Sequence, residues 1–189
     1  MMTLTPQHGG WIEIICGPMF SGKTEELIRR LVRAQIAMQN VKIYKPVIDN
    51  RYSAEDIVSH NNRVIKSQPV EQAEDILKHM TEADVIGIDE AQFFSADIVS
   101  VARQLANSGK RVVIAGLEKD YLGQPFGPMP ELLVEADYIS KVLAICVRCG
   151  EPANFSQRLT ADSAQVLVGE GDKYEARCRN CFNPHESDG

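Results

Sequence analysis

A parallel α/β sheet with helices on both faces, followed by a small cysteine-rich lobe, is the fold class this sequence predicts, and three observations predict it. Apolar runs of strand length alternate with segments of helical period from Trp11 to Gly116, which implies right-handed crossovers between parallel strands. The first strand-to-helix junction is a complete G-x-x-x-x-G-K-[ST] sequence, Gly17-Pro18-Met19-Phe20-Ser21-Gly22-Lys23-Thr24. Two C-x-x-C pairs, Cys146/Cys149 and Cys178/Cys181, close the chain.

Composition sets the frame. A chain of 189 residues with 44% hydrophobic content is enough for one packed domain with a small appendage. A net charge of −6 argues against a surface built to hold a nucleic-acid backbone. Met1 to Gly10 is polar, without a basic-then-apolar leader, and no apolar run approaches the roughly 18 residues of a membrane span. The expectation is a soluble cytoplasmic protein. Four of the five cysteines fall in the two C-x-x-C pairs, which in such a compartment favours metal over disulfides.

The elements follow in order. Ile12, Ile14, Ile15 and Cys16 read as a first strand buried on both faces. The loop after it needs Gly17 and Gly22 so that the backbone can turn sharply and bring N–H groups against phosphate oxygens. Lys23 is placed to meet β/γ phosphates and Thr24 to offer a hydroxyl to Mg²⁺, which makes the expected sheet P-loop NTPase-type. From Thr24, Leu27, Ile28, Leu31, Val32 and Ile36 mark a buried helix face, with Arg29, Arg30 and Arg33 on a solvated one and Asn40 as the stop. Val41 to Lys45 reads as a second strand, closed by Pro46. Pro46 to Asn62 is polar and aperiodic, and reads mostly as loop. Taken alone, Asp49 and Arg51 there are a surface ion pair and His60 a solvated histidine. Val64 to Lys66 suggests a short strand and Glu71 to Met80 a helix.

Val85-Ile86-Gly87-Ile88-Asp89-Glu90 is an apolar strand that releases two carboxylates at its carboxyl end, the edge where open α/β sheets bind ligands. This is the shape of a Walker B strand: Asp89 can serve Mg²⁺ and Glu90 can act on a nucleophile. Ala96 to Ser108 repeats helical spacing until Gly109, and Arg111 to Gly116 is another buried strand. The loop from Leu117 to Pro130 carries Tyr121 and Phe126, which are either incidental or a clamp for a flat ring. A last strand, Tyr138 to Ile145, leads to the first cysteine pair. Two knuckles offer the S₄ set that zinc takes in closed structural sites, against a redox reading that needs only one pair. Asn183 to Gly189 reads as a disordered tail.

Taken together, the phosphate loop, Asp89-Glu90-Ala91-Gln92-Phe93-Phe94, Gln124-Pro125-Phe126-Gly127, Gly171-Asp172-Lys173-Tyr174 and the terminal cysteine pairs resemble the type II thymidine kinases from Trp11 to Phe182. The resemblance implies ATP-dependent phosphorylation of the thymidine 5′-hydroxyl with Glu90 as base, Asp89 serving Mg²⁺, and Gln92 on the nucleotide side. It moves Asp49 and Arg51, in the stretch Lys45 to Tyr52, toward the phosphate and metal centre. It also implies a thymine pocket of Phe93, Leu117, Tyr121, Phe126, Ser156 and Tyr174, with the backbone of Leu167, Val168 and Gly169 reading the base from a lid loop. Structural Zn²⁺ on Cys146, Cys149, Cys178 and Cys181, a homotetramer and feedback inhibition by thymidine triphosphate are further implications, with no nucleic-acid or membrane partner. The family often has Leu-Asp at Leu117-Glu118 and phenylalanine at Tyr121, so those two positions depart from it. The expected division is a nucleotide-binding domain over 1–145 and a zinc lobe over 146–189. The alternatives are a helicase-like nucleic-acid-dependent ATPase, since Asp-Glu-Ala-Gln also occurs in such motors, and a non-catalytic zinc module.

Overall fold

The computed structural model describes residues 9–47, 57–58, 64–160 and 173–184. Asp49, Arg51, His60, Leu167, Val168, Gly169, Gly171, Asp172 and most of the expected tail lie outside them. Six parallel strands form the main sheet: β1 (Trp11–Cys16), β2 (Val41–Pro46), β5 (Ser67–Val70), β6 (Val85–Ile88), β7 (Arg111–Gly116) and β8 (Tyr138–Lys141), in the order β5-β2-β6-β7-β1-β8. Between β2 and β5, β3 (Ile57–Val58) pairs antiparallel with β4 (Val64–Ile65), inside and just beyond the stretch expected to be loop.

The alternation of side chains along each strand assigns the two faces. Ile15, Ile43, Val85, Val113 and Ala115 pack on α1 (Lys23–Ile36) through Leu27, Leu31 and Ala34. Ile12, Ile14, Ile86, Ile88, Val112 and Ile114 face the other way, onto a 3₁₀ segment (Ala73–Glu82), α2 (Asp97–Asn107) and α3 (Met129–Glu135). Helices on both faces leave only the strand ends open, and the motif residues sit at the carboxyl ends.

Four local expectations change. The first helix ends before Asn40: Met38 takes a left-handed φ of 61°, while Met38 N–H donates to Gln35 and Gln39 N–H to Ala34, the bonding of a Schellman stop without its usual glycine. Arg30 is not solvated, because Glu13 is buried beneath α1 and draws it inward at 2.8 Å. The short strand expected at Val64 to Lys66 is present as β4, but a further, unexpected strand follows at Ser67–Val70, where Pro69 is tolerated because β5 is an edge. The strand from Tyr138 to Ile145 is broken in two. Val142 N–H still bonds Cys16, but Ala144–Ile145 (β9) leaves the sheet to pair antiparallel with Pro152–Ala153 (β10).

Candidate active site

The phosphate loop is shaped by two glycines. A Cβ on Gly17 would lie 2.1 Å from the Val142 carbonyl oxygen, so the chain leaving β8 excludes any side chain there. Gly22 opens α1 in a left-handed conformation, φ 80°, and turns the loop into the helix. Between them Phe20 holds φ 64° while 54% exposed, a left-handed residue with a side chain. Ser21 Oγ and Lys23 Nζ both donate to the Pro18 carbonyl at 2.7 Å, so the lysine lies across its own loop. Burial pulls the Lys23 pKa below the ordinary lysine range, against the opposing pull of Glu90, Asp89, Glu118 and Glu25.

Thr24, at the second position of α1, donates its hydroxyl to Asp89 Oδ2 at 3.1 Å. Loop and acidic strand end therefore meet at one point, reaching across β7, which lies between β1 and β6 in the sheet. Asp89 is buried and its pKa is pushed up to about 6, first by burial and then by the Glu90 charge. Two oxygens of different residues converge there, which fits a hard cation that takes oxygen ligands and keeps water.

Glu90 stands just past β6 with φ 54° and ψ 39°, again left-handed. Its N–H donates to Asp89 Oδ1 at 2.9 Å, and its carboxylate accepts from Gln92 Nε2. Gln92 is buried, and its Oε1 accepts the Leu117 N–H at 2.9 Å. The structure thus places Gln92 as a bridge between the acid and the loop after β7, where the sequence pointed to the nucleotide.

The aromatic residues meet in two groups. Phe93 and Phe126 meet edge to face at 5.5 Å. Asp120 organises the loop that carries Tyr121, its Oδ1 accepting the N–H groups of Leu122 and Gln124. Arg158 stacks on Tyr121 and bonds Tyr174. Ser156 Oγ accepts the Met19 N–H at 3.0 Å, which joins the phosphate loop to β11 (Phe155–Arg158). Glu118 is 9% exposed, with Lys141 Nζ at 3.0 Å and Lys119 Nζ at 3.8 Å. Sequence reasoning singled out neither Asp120 nor Arg158. The Asp-x-x-Gly of 120–123 is a usable turn signal, whereas nothing local marks Arg158.

The four paired cysteines come together as expected. Their Sγ atoms lie within 4.8 Å of one another, and Cys149 and Cys178 are 3.6 Å apart. A tetrahedron with metal–sulfur bonds of about 2.3 Å has edges near ~3.8 Å, whereas a disulfide needs about 2.05 Å, so the donor set fits Zn²⁺. Burial alone would raise the Cys146 thiol, but N–H groups of Cys178, Arg148 and Cys149 bring it down to about 6. The sulfurs of Cys178 and Cys149 push Cys181 up to about 12. One proton leaves readily and another is held, the response of crowded thiols that a cation relieves. Val147 N–H to Ala176 carbonyl, 3.1 Å, brings the first knuckle against β12 (Tyr174–Arg177) and so toward the second.

A parallel sheet with a phosphate loop after β1 and an acidic pair after β6 defines a P-loop nucleotide-binding enzyme. The family described as thymidine kinase matches residues 10–182, and the chain belongs to that family. A thymidine kinase of Rhodothermus sp. is 56% identical over 187 residues, covering 97% of this chain and 88% of the relative. Another, of Bacteroides thetaiotaomicron, is 57% identical over 173 residues, covering 92% and 87%. Among solved structures, the flagellar accessory protein FlaH of Methanocaldococcus jannaschii shares the fold alone, with a TM-score of 0.53, 12% identity and coverage of 78% of this chain and 76% of that one. No helix among the described residues is long and apolar enough to cross a membrane.

Proposed function

We propose that the chain transfers the γ-phosphoryl group of ATP to the 5′-hydroxyl of thymidine. The observation that carries this reading, beside family membership, is the 3.1 Å contact of Thr24 with Asp89, which joins the phosphate loop to the acidic strand end. Lys23 lies across the loop and moves from the Pro18 carbonyl to the β/γ phosphates. Glu90, held by Gln92 and its own left-handed turn, accepts the proton of the 5′-hydroxyl. Thr24 and Asp89 would hold Mg²⁺, which when bound neutralises charge on the phosphates. Phe93, Leu117, Phe126, Tyr121 and Tyr174 wall the thymine, and Ser156 fixes the phosphate loop beside them. Catalysis on this reading is mostly positioning and charge complementarity.

Asp49, Arg51 and the backbone of Leu167, Val168 and Gly169 belong to the same proposal on the resemblance alone. So do the homotetramer, the cytoplasmic location, inhibition by thymidine triphosphate and the division into 1–145 and 146–189. Zinc on the four cysteines is supported by their geometry and by the small apolar cluster around them, Ala144, Ala153 and Ala176 with Cys146 and Cys178, beside the larger Phe155 and Tyr174 of the strand pair.

The test is γ-phosphate transfer from labelled ATP across thymidine, deoxyuridine, deoxycytidine and single-stranded DNA, with Lys23→Ala alongside. Thymidine should be the preferred acceptor, and Lys23→Ala should lose ~10²-fold or more in kcat while staying folded. ATP turnover that responds to single-stranded DNA and ignores thymidine would overturn the reading.

A further inference from the structure

Arg158 is a buried cation that the reaction outlined above leaves without a role. It is 4% exposed, on β11, directly opposite Tyr174 of β12 in the antiparallel pair. Its NH2 and Nε reach the Tyr174 hydroxyl at 2.8 and 3.2 Å. The centre of its guanidinium also lies 3.5 Å from the centroid of Tyr121, on the loop that follows β7. One planar group therefore grips a tyrosine from the cysteine-bound lobe by hydrogen bonds and a tyrosine from the sheet by its face. Only an arginine does both, because the fork donates in its plane while the plane itself stacks.

We propose that Arg158 is a positioning residue for the nucleoside: it sets the separation and tilt of Tyr121 and Tyr174 so that a flat pyrimidine is held between sheet and lobe. The inference rests on the reading that these tyrosines wall the thymine site. Tyr121 is anchored at its base by the Asp120 turn, and Tyr174 by the strand pair, whose ladder continues past Arg158 with Leu159 N–H to Lys173 carbonyl at 2.9 Å. Each ring is fixed to its own element. Their mutual placement depends on what joins the elements, and Arg158 joins them. Such a residue acts on binding of the base and leaves phosphoryl transfer at the acids untouched, so its removal should appear in KM far more than in kcat.

The experiment measures steady-state constants for both substrates, thymidine Kd by calorimetry and thermal unfolding for the parent, Arg158→Met, Arg158→Lys and Tyr174→Phe. Arg158→Met should raise thymidine KM and Kd ~10-fold or more, with kcat within about threefold and ATP KM unchanged. Arg158→Lys should resemble it, since an ammonium cannot lie flat on Tyr121 and hold Tyr174 together. Tyr174→Phe, which keeps the ring, should raise KM at least ~3-fold and decides the matter if Arg158→Met does not fold. A folded Arg158→Met with thymidine KM within twofold of the parent, a loss confined to kcat, or full rescue by lysine would overturn the inference while the parent's thymidine activity stands. A parent that does not phosphorylate thymidine overturns the underlying reading, and this inference with it.

Discussion

Glu90 carries two properties that one pair of substitutions separates. Its φ of 54° is costly for a residue with a Cβ, about 1–2 kcal/mol relative to the right-handed region. The bonds from Glu90 N–H to Asp89 and from Gln92 to the carboxylate hold it there. Glu90→Ala removes the carboxylate and keeps the Cβ, whereas Glu90→Gly removes both. The lost Gln92 bond, about 1–2 kcal/mol, is common to the two and cancels between them. Glycine's larger unfolded-state entropy returns part of the relieved strain, leaving Glu90→Gly more stable than Glu90→Ala by about 1 kcal/mol. Both should lose ~10²- to 10⁴-fold in kcat, or about 3–5 kcal/mol of transition-state stabilisation, if the carboxylate is the base. Urea unfolding at constant m-value reads the first effect, and phosphoryl transfer to thymidine the second. An alanine variant as stable as the glycine one would refute the strain argument. Turnover above a tenth of the parent in both variants would remove Glu90 from the role of base.

Other expectations follow from the same geometry. Glu13 is buried and accepts from Trp11, Arg30 and Arg111, so Glu13→Ala should destabilise by about 3 kcal/mol in urea at pH 7, the lower end for a broken buried pair because Arg30 keeps Glu26 and Ser140. Burial alone would raise the Glu13 pKa, but Arg111, Trp11 and Arg30 hold it below its ordinary 4.5; the stabilisation is present above that pH and lost as pH falls through the depressed value, so the gap between parent and variant should shrink below pH 4.5. Met38→Gly, at a helix stop 89% exposed with φ 61°, should raise stability by about 0.5–1 kcal/mol, and an unchanged or lowered urea midpoint would count against the left-handed stop. Freshly reduced protein should contain about one zinc per chain by elemental analysis, and chelation should speed hydrogen exchange around β9 to β12 before the sheet; zinc-free protein with oxidised pairs would sink that assignment.

What the sequence revealed was whatever one short stretch decides by itself. Alternating apolar runs set the strands of the sheet, the glycines of the phosphate loop set its turns, and paired cysteines set the thiolate cluster. Misreadings arose where a distant residue overrides local preference. Arg30 looked solvated because its partner Glu13 is a charge inside an apolar strand, visible only once α1 lies over β1. The strand after Tyr138 looked continuous because apolar residues persist to Ile145, but the β10 edge captures its last two. Pro69 hid β5, since proline speaks against a central strand and is silent about an edge. Arg158 had no signal at all, because its meaning comes from two tyrosines, one of them 37 positions upstream in the loop after β7.

The cysteine lobe and the phosphate loop are directly joined. The Met19 N–H, a backbone donor of the loop, is taken by Ser156 of β11, and the opposite strand of that pair, β12, runs from Tyr174 straight into Cys178. On the sheet side the Val142 carbonyl presses on Gly17, and Val142 stands between β8 and the turn of chain that leads to Cys146. The loop is therefore pinned from two directions by segments that both end in cysteines of the same cluster. The apolar cluster at the cysteines themselves is only alanine, and the larger buried side chains, Phe155 and Tyr174, lie further along the strand pair. The thiolate cluster ties these segments together, and through them it bears on both the backbone proposed to face the phosphates and the tyrosine proposed to face the base.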